Sequence, residues 1–234
     1  MANYKVVEIF SSINGEGRKA GQLALFIRMQ GCNLDCGYCD TKWANEENCA
    51  YHWTTTEEIL ELIHSMRIRN VTITGGEPLV QQDIKELLET LAAEPEISVE
   101  IETNGSVSLE PFLSIENRLS FTMDYKLPGS GMEHEMLMSN LLCLDMRDTV
   151  KFVVKDWEDM MRAKEVIDEY QLVDQCHVYL SPVYGEIELE EIVNFMKSNC
   201  MNGVTMQLHC ISPPALMCEK ELVINGGISF PTLL

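Results

Sequence analysis

Apolar and polar positions follow two different periods along the chain. Short β-branched or aromatic runs predict strands: YKVVEIF, LALFIRMQ, VTIT, ISVEIET, LSFTMDY, TVKFVV, CHVYLS and GVTMQL. Between the later runs the period lengthens. TTTEEILELIHSMRI opens on threonine caps and sets Ile59, Leu60, Ile63 and Met66 on one face, which predicts a helix. VQQDIKELLETLAA, MEHEMLMSNLLCL, WEDMMRAKEVIDEY and ELEEIVNFMKSN repeat that pattern, whereas Leu109 to Asn117 carries neither period. From Val71 onward strands and helices alternate through six strands. The order predicts an α/β fold with a mostly parallel sheet covered by helices, either open and doubly wound or curved into part of a barrel. Both arrangements collect ligands at the carboxyl ends of the strands. TGGEP, ETNG, DYKLP and LSPV stand there, turning the chain with glycine, proline and polar residues.

Composition narrows the class. The 234 residues, 46% hydrophobic and 23% charged, suit one globular core. No break in composition precedes residue 208, so residues 1–208 read as a single domain. No apolar run approaches the ~18 residues of a membrane span. The segment MANYKVVEIF lacks the blocks of a secretory signal, and a cytoplasmic location is expected. A net charge of −20 argues against direct contact with nucleic acid. It describes a solvated acidic surface.

Nine cysteines are many. Cys49, Cys143, Cys176, Cys200, Cys210 and Cys218 show no metal-like spacing and are expected to be buried small hydrophobes. The stretch GCNLDCGYCDT differs, with Cys32, Cys36 and Cys39 spaced as Cys-x3-Cys-x2-Cys. A disulfide is disfavoured without a secretory signal, structural zinc wants a second ligand pair, and a redox dithiol leaves Cys32 unexplained. Three soft thiolates on one loop suit a [4Fe–4S] cluster with one iron left open to a cofactor.

That spacing, with Tyr38 before the last cysteine, resembles the signature of the radical S-adenosylmethionine superfamily, and TGGEP resembles its glycine-rich strand end. The resemblance implies a partial (βα)6 barrel. SINGEG, LALFIRMQGC, CDT, ETNG, DYKLP and LSPV together resemble the 7-carboxy-7-deazaguanine synthase family from about residue 4 to residue 208. That family's usual Q-G-E-G is here Asn14-Gly15-Glu16-Gly17, which keeps an amide at the first position.

The resemblance implies a lyase that rearranges 6-carboxy-5,6,7,8-tetrahydropterin to 7-carboxy-7-deazaguanine with loss of ammonia, a step toward queuosine. It implies S-adenosylmethionine, the cluster and Mg2+ as cofactors, the last with Thr41 as a ligand. Cluster-dependent cleavage of S-adenosylmethionine would supply a radical that takes a hydrogen from the pterin. Arg28 would fork onto the substrate carboxylate, with Glu16 assisting, while backbone and amide groups of Ile13, Asn14 and Gly15 and the hydroxyl of Thr74 read the pterin ring. S-adenosylmethionine would be met by Tyr38, Asp40, Gly75, Gly76, Glu77, Glu102, Asn104, Asp124, Tyr125, Lys126 and Ser181. The partners implied are a small-molecule pterin, an electron donor such as a flavodoxin and a second copy in a homodimer.

The tail departs from the family. Where a last strand Q-L-Q-L-H-K and a short end in K-G-V are expected, the chain reads MQLHCISPPALMCEKELVINGG. One base restored within the codon of His209 permits Gln-Leu-His-Lys, and in the same frame Glu219 to Asn225 can read Arg-Lys-Gly-Val-Gly-Asp before a stop. Residues 209–234 are therefore read as an atypical, frameshifted tail in which His209 is not the family histidine. Two other functions compete: an activating enzyme for a glycyl-radical protein, and a zinc-stabilised binding module without catalysis.

Overall fold

The computed structural model describes residues 2–115 and 119–207. The tail, the last residue of GVTMQL and the end of the Leu109–Asn117 segment lie outside the described residues. Among the described residues nine strands form one sheet: β1 (Asn3–Ile13), β2 (Leu23–Met29), β3 (His52–Thr55), β4 (Asn70–Gly75), β5 (Ser98–Thr103), β6 (Leu119–Tyr125), β7 (Thr149–Val154), β8 (His177–Pro182) and β9 (Val204–Met206). Their order is β3-β1-β2-β4-β5-β6-β7-β8-β9. Strands β2 and β4 to β9 run parallel, while β1 and β3 are added antiparallel at one edge. The six strands expected from Val71 onward are present, and β2 extends the parallel set to a seventh. Strand β3 escaped the sequence reading because HWTT is too short to show a period.

The described residues form five α-helices, in order α1 (Lys42–Asn45), α2 (Thr56–Met66), α3 (Ile84–Ala93), α4 (Trp157–Glu169) and α5 (Leu189–Ser198). Helix α2 begins as its threonines foretell. Thr55 accepts from the Glu58 amide and the Glu58 carboxylate accepts from the Thr55 amide, closing a capping box. The helix expected over MEHEMLMSNLLCL does not form. Short 3-10 turns at Glu133–Glu135 and Met138–Cys143 replace it. Asn140, buried within that segment, donates to the carbonyls of Gly105 and Val107 and accepts from the Leu109 amide. Those tertiary bonds outweigh a modest helix preference. The alternation of strand and helix is therefore interrupted twice, before and after β6.

The sheet's two faces differ chemically. Ile27, Ile73, Ile101, Met123, Val150 and Leu180 share one face and are buried in the core. The opposite face carries Arg28, Thr74, Glu102, Asp124, Lys151 and Ser181 at its carboxyl end. Glu100, Thr122 and Thr149 lie below them. The segment joining β1 to β2 covers this lower level, with Asn14 and Gly17 buried. Gly17 has φ +59°, and a Cβ there would meet Glu100 Oε1 at 2.8 Å and Thr122 Oγ1 at 2.9 Å. Among the described residues no helix is long and apolar enough to cross a membrane.

Candidate active site

The cysteine loop between β2 and α1 is tied to four strand ends. The Glu77 amide donates to Gly31 O at 3.0 Å, and Asn104 Nδ2 to Asn33 Oδ1 at 3.0 Å. The Gly37 amide donates to Ser130 O at 2.9 Å, and the Tyr38 hydroxyl to Val153 O at 3.2 Å. Cys32, Cys36 and Cys39 line one cavity of about 320 Å³, together with Leu34, Lys42 and Asn45 among others. Burial pushes the Cys32 and Cys36 thiols up. Among the described residues no three His, Cys, Asp or Glu side chains converge as ligands of one ion. Thiols spread around a cavity suit a cluster, in which each sulfur meets its own iron.

Beside the loop, the β4 end approaches so closely that only glycine fits. A Cβ on Gly76 would lie 2.1 Å from Asn45 Oδ1, 2.4 Å from Gly31 O and 2.5 Å from Cys32 Cβ. Gly75, at φ +148°, would meet Met29 O at 2.4 Å. Glu77 lies behind this turn. Its fully buried carboxylate accepts from the Leu79 amide, the Thr103 hydroxyl and, at 2.6 Å, the Asn104 amide. Expected as an acceptor for a ligand, the Glu77 side chain instead holds the β4 and β5 turns together. Burial raises its pKa despite those bonds.

Charged groups gather on the polar face. Lys151 Nζ donates to Glu16 Oε2 at 2.7 Å and lies 3.6 Å from Asp124 Oδ2. Lys126 Nζ donates to the same Asp124 oxygen at 2.8 Å. Burial alone would raise the Asp124 pKa, but the two ammonium groups outweigh it and hold the carboxyl below its usual range. Burial opposes the charge on Lys151 as well, yet Glu16, Asp124 and Glu102 keep its pKa raised. The Glu102 carboxyl, accepting from Thr74 Oγ1 at 2.7 Å, is pushed up to about 7 by burial and by Glu16. Farther along, Arg28 Nε donates to Glu8 Oε1 at 2.7 Å, and the guanidinium lies over the Phe10 ring.

A glycine-tight thiol loop above a row of charges at parallel strand ends is the setting in which the comparisons fall. Residues 26–124 match the family model of the Radical SAM superfamily. A protein of Clostridium acetobutylicum called 7-carboxy-7-deazaguanine synthase is 55% identical over 206 residues, covering 88% of this chain and 93% of the relative. The chain belongs to the 7-carboxy-7-deazaguanine synthase family. A relative of the same name from Methanospirillum hungatei is 36% identical over 88% of this chain and 83% of its own. The crystal structure of QueE from Escherichia coli superposes with a TM-score of 0.65 at 25% identity, covering 88% of this chain and 95% of that one. As a family member the chain is a radical S-adenosylmethionine lyase, using the cofactor with a [4Fe–4S] cluster. The glycyl-radical activator and zinc-module readings are not favoured.

The residues present fit those cofactors. Three thiols surround the cavity, and Asn104 Nδ2 approaches Cys32 Sγ at 3.6 Å. The hydroxyl of Ser181, fully buried, has no hydrogen-bond partner among the described residues, and neither has Asp124 Oδ1. Buried polar atoms of this kind want a ligand. Thr41 lies against the loop, its hydroxyl 3.7 Å from Cys39 Sγ.

The structure therefore gathers Cys32, Cys36, Cys39, Thr41, Gly75, Gly76 and Asn104 at the loop, and Glu16, Thr74, Glu102, Asp124 and Lys126 on the polar face. Tyr125 falls elsewhere. It occupies the odd register position, buried on the apolar face against Phe152 with its hydroxyl on Glu133. Strand alternation forbids it the side taken by Asp124. Ile13 (59% exposed), Gly15 and Asp40 stand open to solvent with their backbone groups accessible, and Tyr38 anchors the loop through its hydroxyl. Both ends of the Asn14 amide are engaged, Nδ2 with Glu100 and Oδ1 with the Glu16 amide, so this side chain aims Glu16.

Lys151, Glu8, Glu100 and Asn45 were missed in the sequence. Lys151 did leave a signal, since a lysine inside the apolar run TVKFVV must be paired if buried. Of the scattered cysteines, Cys176 is buried as expected. Cys49 and Cys143 are half-buried and Cys200 is exposed, which departs from that expectation.

Proposed function

We propose that the chain converts 6-carboxy-5,6,7,8-tetrahydropterin to 7-carboxy-7-deazaguanine with loss of ammonia, and that the residues gathered above carry the reaction. The observation supporting this is the joining of two unlike sites at one sheet end: a three-thiol cavity, and a charged face that presents carboxylates and an arginine. Identity of 55% to a relative named for that product points the same way. Cys32, Cys36 and Cys39 would hold the cluster. Bound together, cluster and S-adenosylmethionine supply the hydrogen-abstracting radical chemistry of the superfamily.

The remaining roles belong to the polypeptide. Gly75 and Gly76 admit the cofactor's backbone contacts, with Glu102, Asn104, Lys126 and Ser181 placed to meet its polar groups. Glu8 engages Arg28 through Nε, which leaves the terminal nitrogens to fork onto the substrate carboxylate. Thr74 and Glu16 face the pterin, whose amino-pyrimidinone edge is rich in N–H donors that suit a carboxylate. Thr41 would give one oxygen to Mg2+, an ion that commonly keeps waters and borrows substrate oxygens. A flavodoxin-like donor, a homodimer and a cytoplasmic location complete the proposal, and the seven described cysteines, all free, are consistent with a reducing compartment.

The test is an anaerobic assay of the reconstituted protein with reductant, S-adenosylmethionine, Mg2+ and the pterin. Deazaguanine formed over many turnovers is the expected result. Cofactor cleavage without that product would reject the substrate assignment.

We also propose that residues 209–234 are an out-of-frame tail on the domain of residues 1–208. The support for this reading is the chain's own wording after Met206, QLHCISPPALMCEKELVINGG, which departs from the family ending. A gene sequence in which no single-base insertion near codon 209 restores the family ending would sink it.

A further inference from the structure

Lys151 stands on the polar face with no role yet assigned to it. It projects from β7 with only 12% of its side chain exposed, and it joins two elements distant in sequence. Glu16, on the segment covering the lower sheet, is 135 residues away, while Asp124 lies on the adjacent strand β6. Asp124 passes the contact on to Lys126, in the DYKLP turn beneath the cysteine loop. The row Glu16–Lys151–Asp124–Lys126 therefore runs from the proposed substrate side to the proposed cofactor side. Desolvated ion pairs of this kind are weak evidence of a stabilising role, because well-packed apolar residues usually serve a fold equally well. A functional role is the better account.

We propose that Lys151 is a positioning residue that fixes Glu16 against the donor edge of the pterin and, through Asp124, ties occupancy of that site to the cofactor side. The inference rests on the functional reading above. It assigns Lys151 no contact with either ligand; its effect passes through the two carboxylates it holds. Without the ammonium, Glu16 loses the partner that aims it. The pterin then binds poorly, and cleavage of S-adenosylmethionine runs on without a matching product.

The test uses the reconstituted holoenzyme as wild type, Lys151→Met, Glu16→Gln and the double variant. Iron content, KM for the pterin, kcat and the ratio of 5′-deoxyadenosine to deazaguanine are measured for each. Lys151→Met should raise KM by about tenfold, as expected when a charge-assisted contact to the substrate is lost, and should raise the ratio well above the wild-type value. A merely structural lysine would lower iron content and total turnover while leaving the ratio alone. If Lys151 acts through Glu16, the double variant matches Glu16→Gln in KM and ratio, since the two belong to one unit.

That last comparison decides the matter even if Lys151→Met alone fails to keep its cluster, because the double variant removes a charge of each sign. A wild-type KM and ratio in Lys151→Met would overturn the proposal. So would a double variant whose defects multiply those of the singles. Absence of deazaguanine from the wild type would instead overturn the functional reading.

Discussion

Glu102 shows what burial does to a single side chain. Desolvation and the facing Glu16 push its carboxyl up to about 7, with Lys151 and Thr74 opposing and Glu100 adding further repulsion. An unfolded glutamate titrates near ~4.3. Between those values the folded protein keeps a proton that the unfolded chain releases. The resulting stabilisation is complete below the unfolded value and is lost as pH rises through the folded one. The melting temperature of the ligand-free wild type, measured relative to Glu102→Gln, should therefore decline between about pH 5 and pH 8. A pH-independent difference in calorimetry would show that Glu102 keeps no such proton. Legibility at this scale was uneven. The three cysteines were readable because their function depends on spacing within one loop. The partners of Lys151 and Glu8 were not, because each comes from a different strand or loop and only folding brings them together.

At the scale of elements, the meeting of the β4 end with the cysteine loop has no room for a side chain. A Gly76→Ala Cβ would press on the Gly31 carbonyl and on Cys32 Cβ, backbone-linked atoms that cannot swing aside. The expected result is a folded protein with less than roughly half the wild-type iron and sulfide after reconstitution, since a shift of the ligand-bearing loop weakens metal binding. Full iron content would show that the loop yields at no cost. TGGEP was visible in the sequence as a ligand turn, but the division of labour within it was not. The glycines admit close contact, while Glu77 turns inward to bond the neighbouring turn. The failed helix over Met132–Leu144 has the same origin, because Asn140 finds better partners in the β5 turn than a helix would offer it.

Across the whole molecule, one face of the sheet builds the apolar core and the other carries the polar groups of the candidate site. Phe152 on β7 is fully buried on the apolar face, immediately beside Lys151 in sequence and opposite to it in direction. Phe152→Ala should cost about 3–5 kcal/mol, the usual range for an emptied aromatic site. Urea unfolding would show this as a lower midpoint at an unchanged slope. A loss below ~1 kcal/mol would mean that the face repacks around the gap, as volume-tolerant cores can.

The sequence by itself determined the alternation of elements, the parallel sheet, the thiol loop and the family. Each is carried by local periodicity or by residues adjacent in the chain. It also held a quieter signal: parallel strands covered on both sides are apolar throughout, whereas β5, β6 and β7 place Glu100, Glu102, Asp124 and Lys151 at alternate positions. Tertiary structure alone decided which of those charges pair. It also sent Tyr125 and Glu77 away from the site, and it gave Arg28 a carboxylate of the chain itself. The reason is physical: a buried charge must find its partner across strands, and strand register, not proximity in the chain, chooses that partner.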